Sequence, residues 1–288
     1  FDSVRGTTKM LQADQNNAEE TQSGVTAFGS DGFTLGTWIG STKTNDSYVA
    51  WNWKVGGSAS TNTSGSIDSS VLANTAAGFS ILTFTCPSGS GLYTVGHGLG
   101  AVPEFMIVKS RSATGNWHIY HKDVGNTKAY FLNNSTAGFT STGYWGDTTP
   151  TSTVFTQSIG GTLDVGTTAI GYFFNSVDGY SLVGSYVGNG SEDGAYVNCG
   201  FSPAIIITKS LAATGWRTID NKRTPYNPSK ASIYPDSSDA EYTGDGHETD
   251  FTSNGFKMRN SNALLNTNGQ TYIFIAFAET PFKNSTAR

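Results

Sequence analysis

In 288 residues the chain carries 33 Ser, 38 Thr, 21 Asn and 35 Gly, but only 14 % charged residues against 12 % aromatic ones. A net charge of −5 leaves no basic surface for a phosphate backbone, which excludes nucleic-acid binding, and the apolar runs at 204–207 and 272–278 fall far short of the ~20 residues of a membrane-spanning helix. Two cysteines, Cys86 and Cys199, are too few for a disulfide framework and read as small buried or half-buried hydrophobes.

In chain order, residues 1–5 (FDSVR) resemble 219–223 (IDNKR). Residues 30–54, running from SDGFTLGT to SYVAWNWK, parallel both 152–175 (STVFTQSI to TAIGYFFN) and 253–279 (SNGFKMRN to TYIFIAFAE). The end of each block predicts a strand with a core face: Val49, Trp51 and Trp53 in the first, Ile170, Tyr172 and Phe174 in the second, Ile273, Ile275 and Phe277 in the third. Residues 57–77 are rich in Gly, Ser, Thr and Asn with almost no charge, which predicts a linker. GFSILTFTC at 78–86 returns near 179 as GYSLVGSYV. Pro103, Lys109 and Ser110 recur at an offset of 100 as Pro203, Lys209 and Ser210, each on a β-branched run that predicts a buried central strand. Helical signal is confined to 74–77 and 239–241.

The fold expected is all-β, in tandem antiparallel β-sandwich or jelly-roll-like repeats of about 100 residues. Its divisions are a partial repeat at 1–56 (the C-terminal half), the linker at 57–77, full repeats at 78–177 and 178–281, and a tail at 282–288. The first unit lacks a front half, and the chain starts at Phe1 without a signal-peptide pattern, so it reads as the C-terminal portion of a longer polypeptide.

No motif supplies a nucleophile with its base and orienting acid, a phosphate-cradling loop or a metal-ligand spacing, so no catalytic, cofactor or metal residues are expected. His118 and His121, three apart in a predicted strand, face opposite ways, and His97 in VGHGLG suits a turn-fixing hydrogen bond. The acidic stretch 236–250 departs from a calcium loop and reads as solvated. Trp51, Trp53, Trp117 and Trp216 occupy repeat positions and read as packing residues. Tyr144, Trp145 and Asp147 lie in a loop-like stretch with no matching aromatic pair, and Trp38 lies in another. A flat exposed ring beside short acceptors is what a sugar surface needs, so these four are the candidate receptor or glycan contacts.

Several blocks carry a resemblance: FDSVRGTTKMLQ at 1–12, SDGFTLG and SYVAWNWKVGG within 30–57, TVGHGLGAVPEFMIVKSRS at 94–112, DGYSLVGSYVGNGSEDG at 178–194, WRTIDNKRTPYN at 216–227 and TYIFIAFAETPF at 271–282. Together they resemble the repeated β modules of tail-fibre or head-fibre-like virion proteins of marine bacteriophages, the cyanophages and pelagiphages. That resemblance implies a non-enzymatic protein of the virion surface that attaches to a host through its loops, assembles as a homotrimer, and touches other virion proteins and a host surface glycan or protein. It carries over no catalytic residue. A capsid decoration or cementing protein and a secreted, lectin-like carbohydrate-binding module are the alternative expectations.

Overall fold

A computed structural model describes residues 1–280; the expected tail at 282–288 lies outside the described residues. The protein is all-β, its sheets antiparallel throughout. The largest has eight strands in the order Phe139–Thr140, Lys128–Phe131, Trp117–His121, Phe105–Ser110, Thr168–Phe174, Phe79–Thr85, Ser69–Asn74 and Ser60–Asn62. A five-stranded sheet runs Ser181–Val187, Thr271–Ala278, Pro203–Ser210, Trp216–Asp220 and Ser232–Ile233. In each, the strand that closes the sequence block is central, hydrogen-bonded on both edges: Thr168–Phe174 between Phe79–Thr85 and Phe105–Ser110, and Thr271–Ala278 between Ser181–Val187 and Pro203–Ser210.

Smaller sheets cover one face of each. Leu92–Gly96 pairs with Val154–Ser158 over a core of Leu82, Phe84, Val95, Phe155 and Phe173. Tyr196–Asn198, Gly255–Met258 and Thr249–Thr252 lie over Ile206, Phe256, Met258, Tyr272 and Phe274. Period-two alternation explains how one strand serves two cores: Phe173 points to the outer side, and Tyr172 and Phe174 to the other. Those other faces meet in a third, central core that joins Ile81, Phe105 and Phe174 to Ile205, Trp216, Ile275 and Phe277, and to Val4, Trp51 and Trp53 of the N-terminal segment. Residues 1–56, 57–177 and 178–280 are therefore termed the first, second and third sectors.

Pairings and bonds recur between sectors at fixed spacing. In the first, Lys9 and Met10 pair with Thr21 and Glu20, and the Lys9 ammonium donates to Thr21 Oγ1 at 2.9 Å. At an offset of 119, Lys128 and Ala129 pair with Thr140 and Phe139, and Lys128 donates to Thr140 Oγ1 at 2.8 Å. Asp2 and Arg5 form an ion pair at 2.5 Å while Asp2 Oδ1 accepts the Val4 and Arg5 N–H groups. Asp220 and Arg223 do the same at 2.6 Å, with Asp220 Oδ1 accepting from Lys222 and Arg223.

Three expectations fail. Residues 57–77 are no linker: Ser60–Asn62 and Ser69–Asn74 extend the eight-stranded sheet, and Val71 and Leu72 are buried. Polar composition misled because an edge extension needs few apolar side chains; its backbone is satisfied by the ladder. The 3₁₀ turn Thr75–Ala77, capped by the Asn74 side chain, then reverses the chain at Gly78, whose φ of +61° favours glycine. Second, 48–53 forms no strand although its sequence matches two central ones, since no neighbour flanks it. No helix forms at 239–241.

Candidate functional site

Of the four expected contact residues, the structure withdraws one ring. Trp145 is buried at 1 % exposure and packs edge-on against Tyr120 at 5.9 Å, so it presents no face to a sugar. Tyr144 is half-buried among His118, Phe131 and Phe139. Asp147 is exposed at the turn tip, with a φ of +49°. A loop aromatic with sheet strands beneath it gains more by folding back than by facing water, about 1.5–3 kcal/mol for a large side chain. Trp38 is half-buried in a different sector, its carbonyl accepting from Ser41 and Thr42 hydroxyls at the turn Ile39–Thr42. Tyr144, Trp145 and Asp147 therefore do not form one surface with Trp38.

The histidines are structural. His97 accepts the Leu99 N–H at Nδ1 and its Nε2 lies 3.1 Å from the Thr151 carbonyl, the turn-fixing role expected of it. His118 packs on Phe131 and Tyr144, whereas His121 turns the other way to the Phe274 carbonyl, 3.4 Å distant. His247 meets the Ser232 hydroxyl at 2.6 Å. Burial pushes His97, His121 and His247 down to about 4 and His118 to about 3. In the acidic stretch, Lys230 pairs with Asp245 at 2.5 Å, and among the described residues no three His, Cys, Asp or Glu gather as metal ligands. Both cysteines are free, Cys86 within the outer core and Cys199 half-buried.

Lys109 and Lys209 are both fully buried. Lys109 donates to the Ser110 and Asn16 carbonyls, Lys209 to that of Thr214, and burial lowers both to about 8. A groove of about 740 Å³ is lined by Asp68, Ser69, Phe84, Thr85, Pro87 and Arg111. Its one guanidinium is already committed, since Arg111 grips Glu19 bidentately at 2.8 and 3.1 Å.

The dense chemistry lies instead where sectors meet. Trp117 of the second sector donates its indole N–H to the Gln12 carbonyl of the first at 3.0 Å; Trp216 of the third donates to the Phe131 carbonyl of the second at 2.8 Å, and Phe131 is 119 residues beyond Gln12. Arg5 of the first sector, wholly buried, donates to the Tyr172 hydroxyl of the second, which donates to Asp2 at 2.8 Å. Arg5 also pairs with Glu19 at 3.1 Å. His121 of the second sector faces the third at Phe274, and the Arg223 guanidinium of the third lies 5.8 Å from the Trp51 ring centroid of the first. The contacts run first to second, second to third, third to first. At their centre Trp53, Phe174 and Phe277, the three matched closing residues, touch one another at centroid distances of 6.3, 5.3 and 5.8 Å. Sequence reasoning had matched these residues as core but had no signal that they meet each other.

The first sector stays open on its outer side. Phe28, Phe33, Leu35, Ile39 and Tyr48 are all exposed large hydrophobics there.

The profile of one family, described as a domain of unknown function (DUF7483), matches residues 1–281. No curated protein and no solved structure matches the chain.

Proposed function

From a chain that belongs to the DUF7483 family of domains of unknown function, we propose a non-enzymatic structural module of a bacteriophage virion surface, a fibre component that meets the host through its loops. The observation that carries this reading is the ring of junctions around Trp53, Phe174 and Phe277. We read it as one β module used three times about a pseudo-threefold axis, a geometry that fibres otherwise reach by associating three chains. A shared central core makes such a body rigid, and the loops it supports are free to vary. Low charge and abundant Ser, Thr, Asn and Gly suit an extracellular surface.

The test is adsorption. Purified protein added to host cells is expected to compete with phage binding, and antibody raised against it to label fibres in micrographs of particles. Label spread over the head lattice with no competition would make it a decoration protein instead. Binding on a glycan array that persists after removal of Asp147 and Trp38 would leave a lectin role but move its site.

A further inference from the structure

We infer that the open side of the first sector is a docking site for the front half of this same β module, two strands that flank residues 48–53 on both edges. The inference rests on the three-sector reading above and not on the attachment role.

In the second and third sectors the closing strand has a partner on each edge. Residues 48–53 have neither: among the described residues none of their N–H or C=O groups joins another backbone group. They nevertheless alternate as a strand does, with Val49, Trp51 and Trp53 half-buried, the two tryptophans packed against the central core, and Tyr48, Ala50 and Asn52 exposed. Two free edges with a sheet's period are a template for strand addition.

The side chains give the same answer. Phe33 matches Phe155 and Phe256, and it is 37 % exposed where both of those are at 0 %. Leu35 is 46 % exposed where its counterparts Gln157 and Met258 are at 0 %, and Tyr48 is 53 % exposed where Ala169 and Tyr272 are at 0 %. What covers those counterparts is the front half of each sector, through Leu92–Gly96 in one and Tyr196–Asn198 in the other. The chemistry of the occupant follows: a strand like Phe79–Thr85, a strand like Phe105–Ser110, and a short covering strand between them. A second copy of residues 1–280 cannot lend these strands, because both of its front halves are already paired with their own closing strands.

The experiment duplicates residues 78–119 ahead of Phe1, so that the added segment runs into the position matched by Tyr120 in the second sector. Hydrogen exchange is read at residues 48–53, with binding of a dye specific for exposed apolar surface measured alongside. The 288-residue chain is expected to exchange fast there, and the extended chain roughly a hundredfold more slowly with loss of dye binding. Ala50→Pro in the extended chain should restore fast exchange. Unchanged exchange on extension overturns the inference, since a vacant sector of this register should order the added strands. Slow exchange in the 288-residue chain accompanied by dimerisation overturns it too, because a second copy then covers the face. Neither outcome touches the ring of junctions, which is tested separately by substitution at Arg5.

Discussion

Arg5 concentrates the chemistry of the first junction in one side chain. Its guanidinium is wholly buried, pairs with Asp2 and Glu19, and reaches Tyr172 across the sector boundary. Arg5→Met leaves the buried Asp2 carboxylate without its counter-charge, while Glu19 keeps its bidentate pair with Arg111, a loss of about 3–5 kcal/mol that urea unfolding should register. Arg223 is the weaker twin, sitting over Trp51 at a junction that the open sector leaves partly wet, and the same substitution there should cost less. Acid stability follows from the histidines. Burial holds all four well below their ordinary value, near 3 to 4, so between there and about 6.5 the unfolded chain binds more protons than the folded one. Stability therefore falls as pH drops from about 6.5 toward 4, and Asp2, Glu19 and Asp220, held below the usual carboxylate range by their arginine partners and backbone N–H groups against the opposing effect of burial, extend the loss to lower pH. Lys109 and Lys209 act at the other end: both are lowered to about 8, so stability rises from about pH 8 until the buried tyrosines begin to ionise in the unfolded chain near pH 10. Melting temperatures across pH 4–10 check both slopes, and a flat profile below pH 6.5 would contradict the burial of the histidines.

At the level of elements, the segment 57–77 separates the two ways of reading it. Val71 is paired with Ser60 on one side and Leu82 on the other. Val71→Pro removes a ladder donor and forces the chain off the strand, so denaturation should show a loss of about 3 kcal/mol or more; a true linker would accept the change. How far such elements are legible from sequence depends on what makes them form. Phe105–Ser110 and Pro203–Ser210 announce themselves because their β-branched runs are buried on both faces. Ser69–Asn74 does not, since its stability comes from backbone pairing to a strand already present, which leaves no apolar pattern to read. Residues 48–53 show the converse, a strand sequence without strand structure, because pairing is a property of neighbours and not of the segment. Trp145 was legible as an aromatic in a loop but not as a buried one, its burial being decided by Tyr120 and a strand pair remote in the chain.

For the whole molecule, the three-sector reading predicts an oligomeric state. A chain completed by the added front half should scatter light as a monomer across micromolar concentrations, since the threefold geometry is met within it. A stable trimer would mean that the axis is built between chains instead. Phe174→Ala, at the centre where all three sectors touch, should cost about 3–5 kcal/mol and lower the melting of every sector together in a single transition.

The junctions also write a handedness into the ring. Three similar modules can circle an axis in either order, and a repeated sequence offers little to choose between them. Among the matched places at which the closing segments differ is that of Trp51, Tyr172 and Ile275: Arg223 lies over Trp51 and Arg5 donates to Tyr172, whereas Ile275 packs in the central core. Were the order reversed, Arg5 would meet Ile275 and lose the phenol that bridges it to Asp2, while Arg223 would meet Tyr172 in place of the Trp51 ring. On the three-sector reading, divergence among the sectors is an addressing code, and making the three junctions identical would remove what tells the folding chain which way round to go.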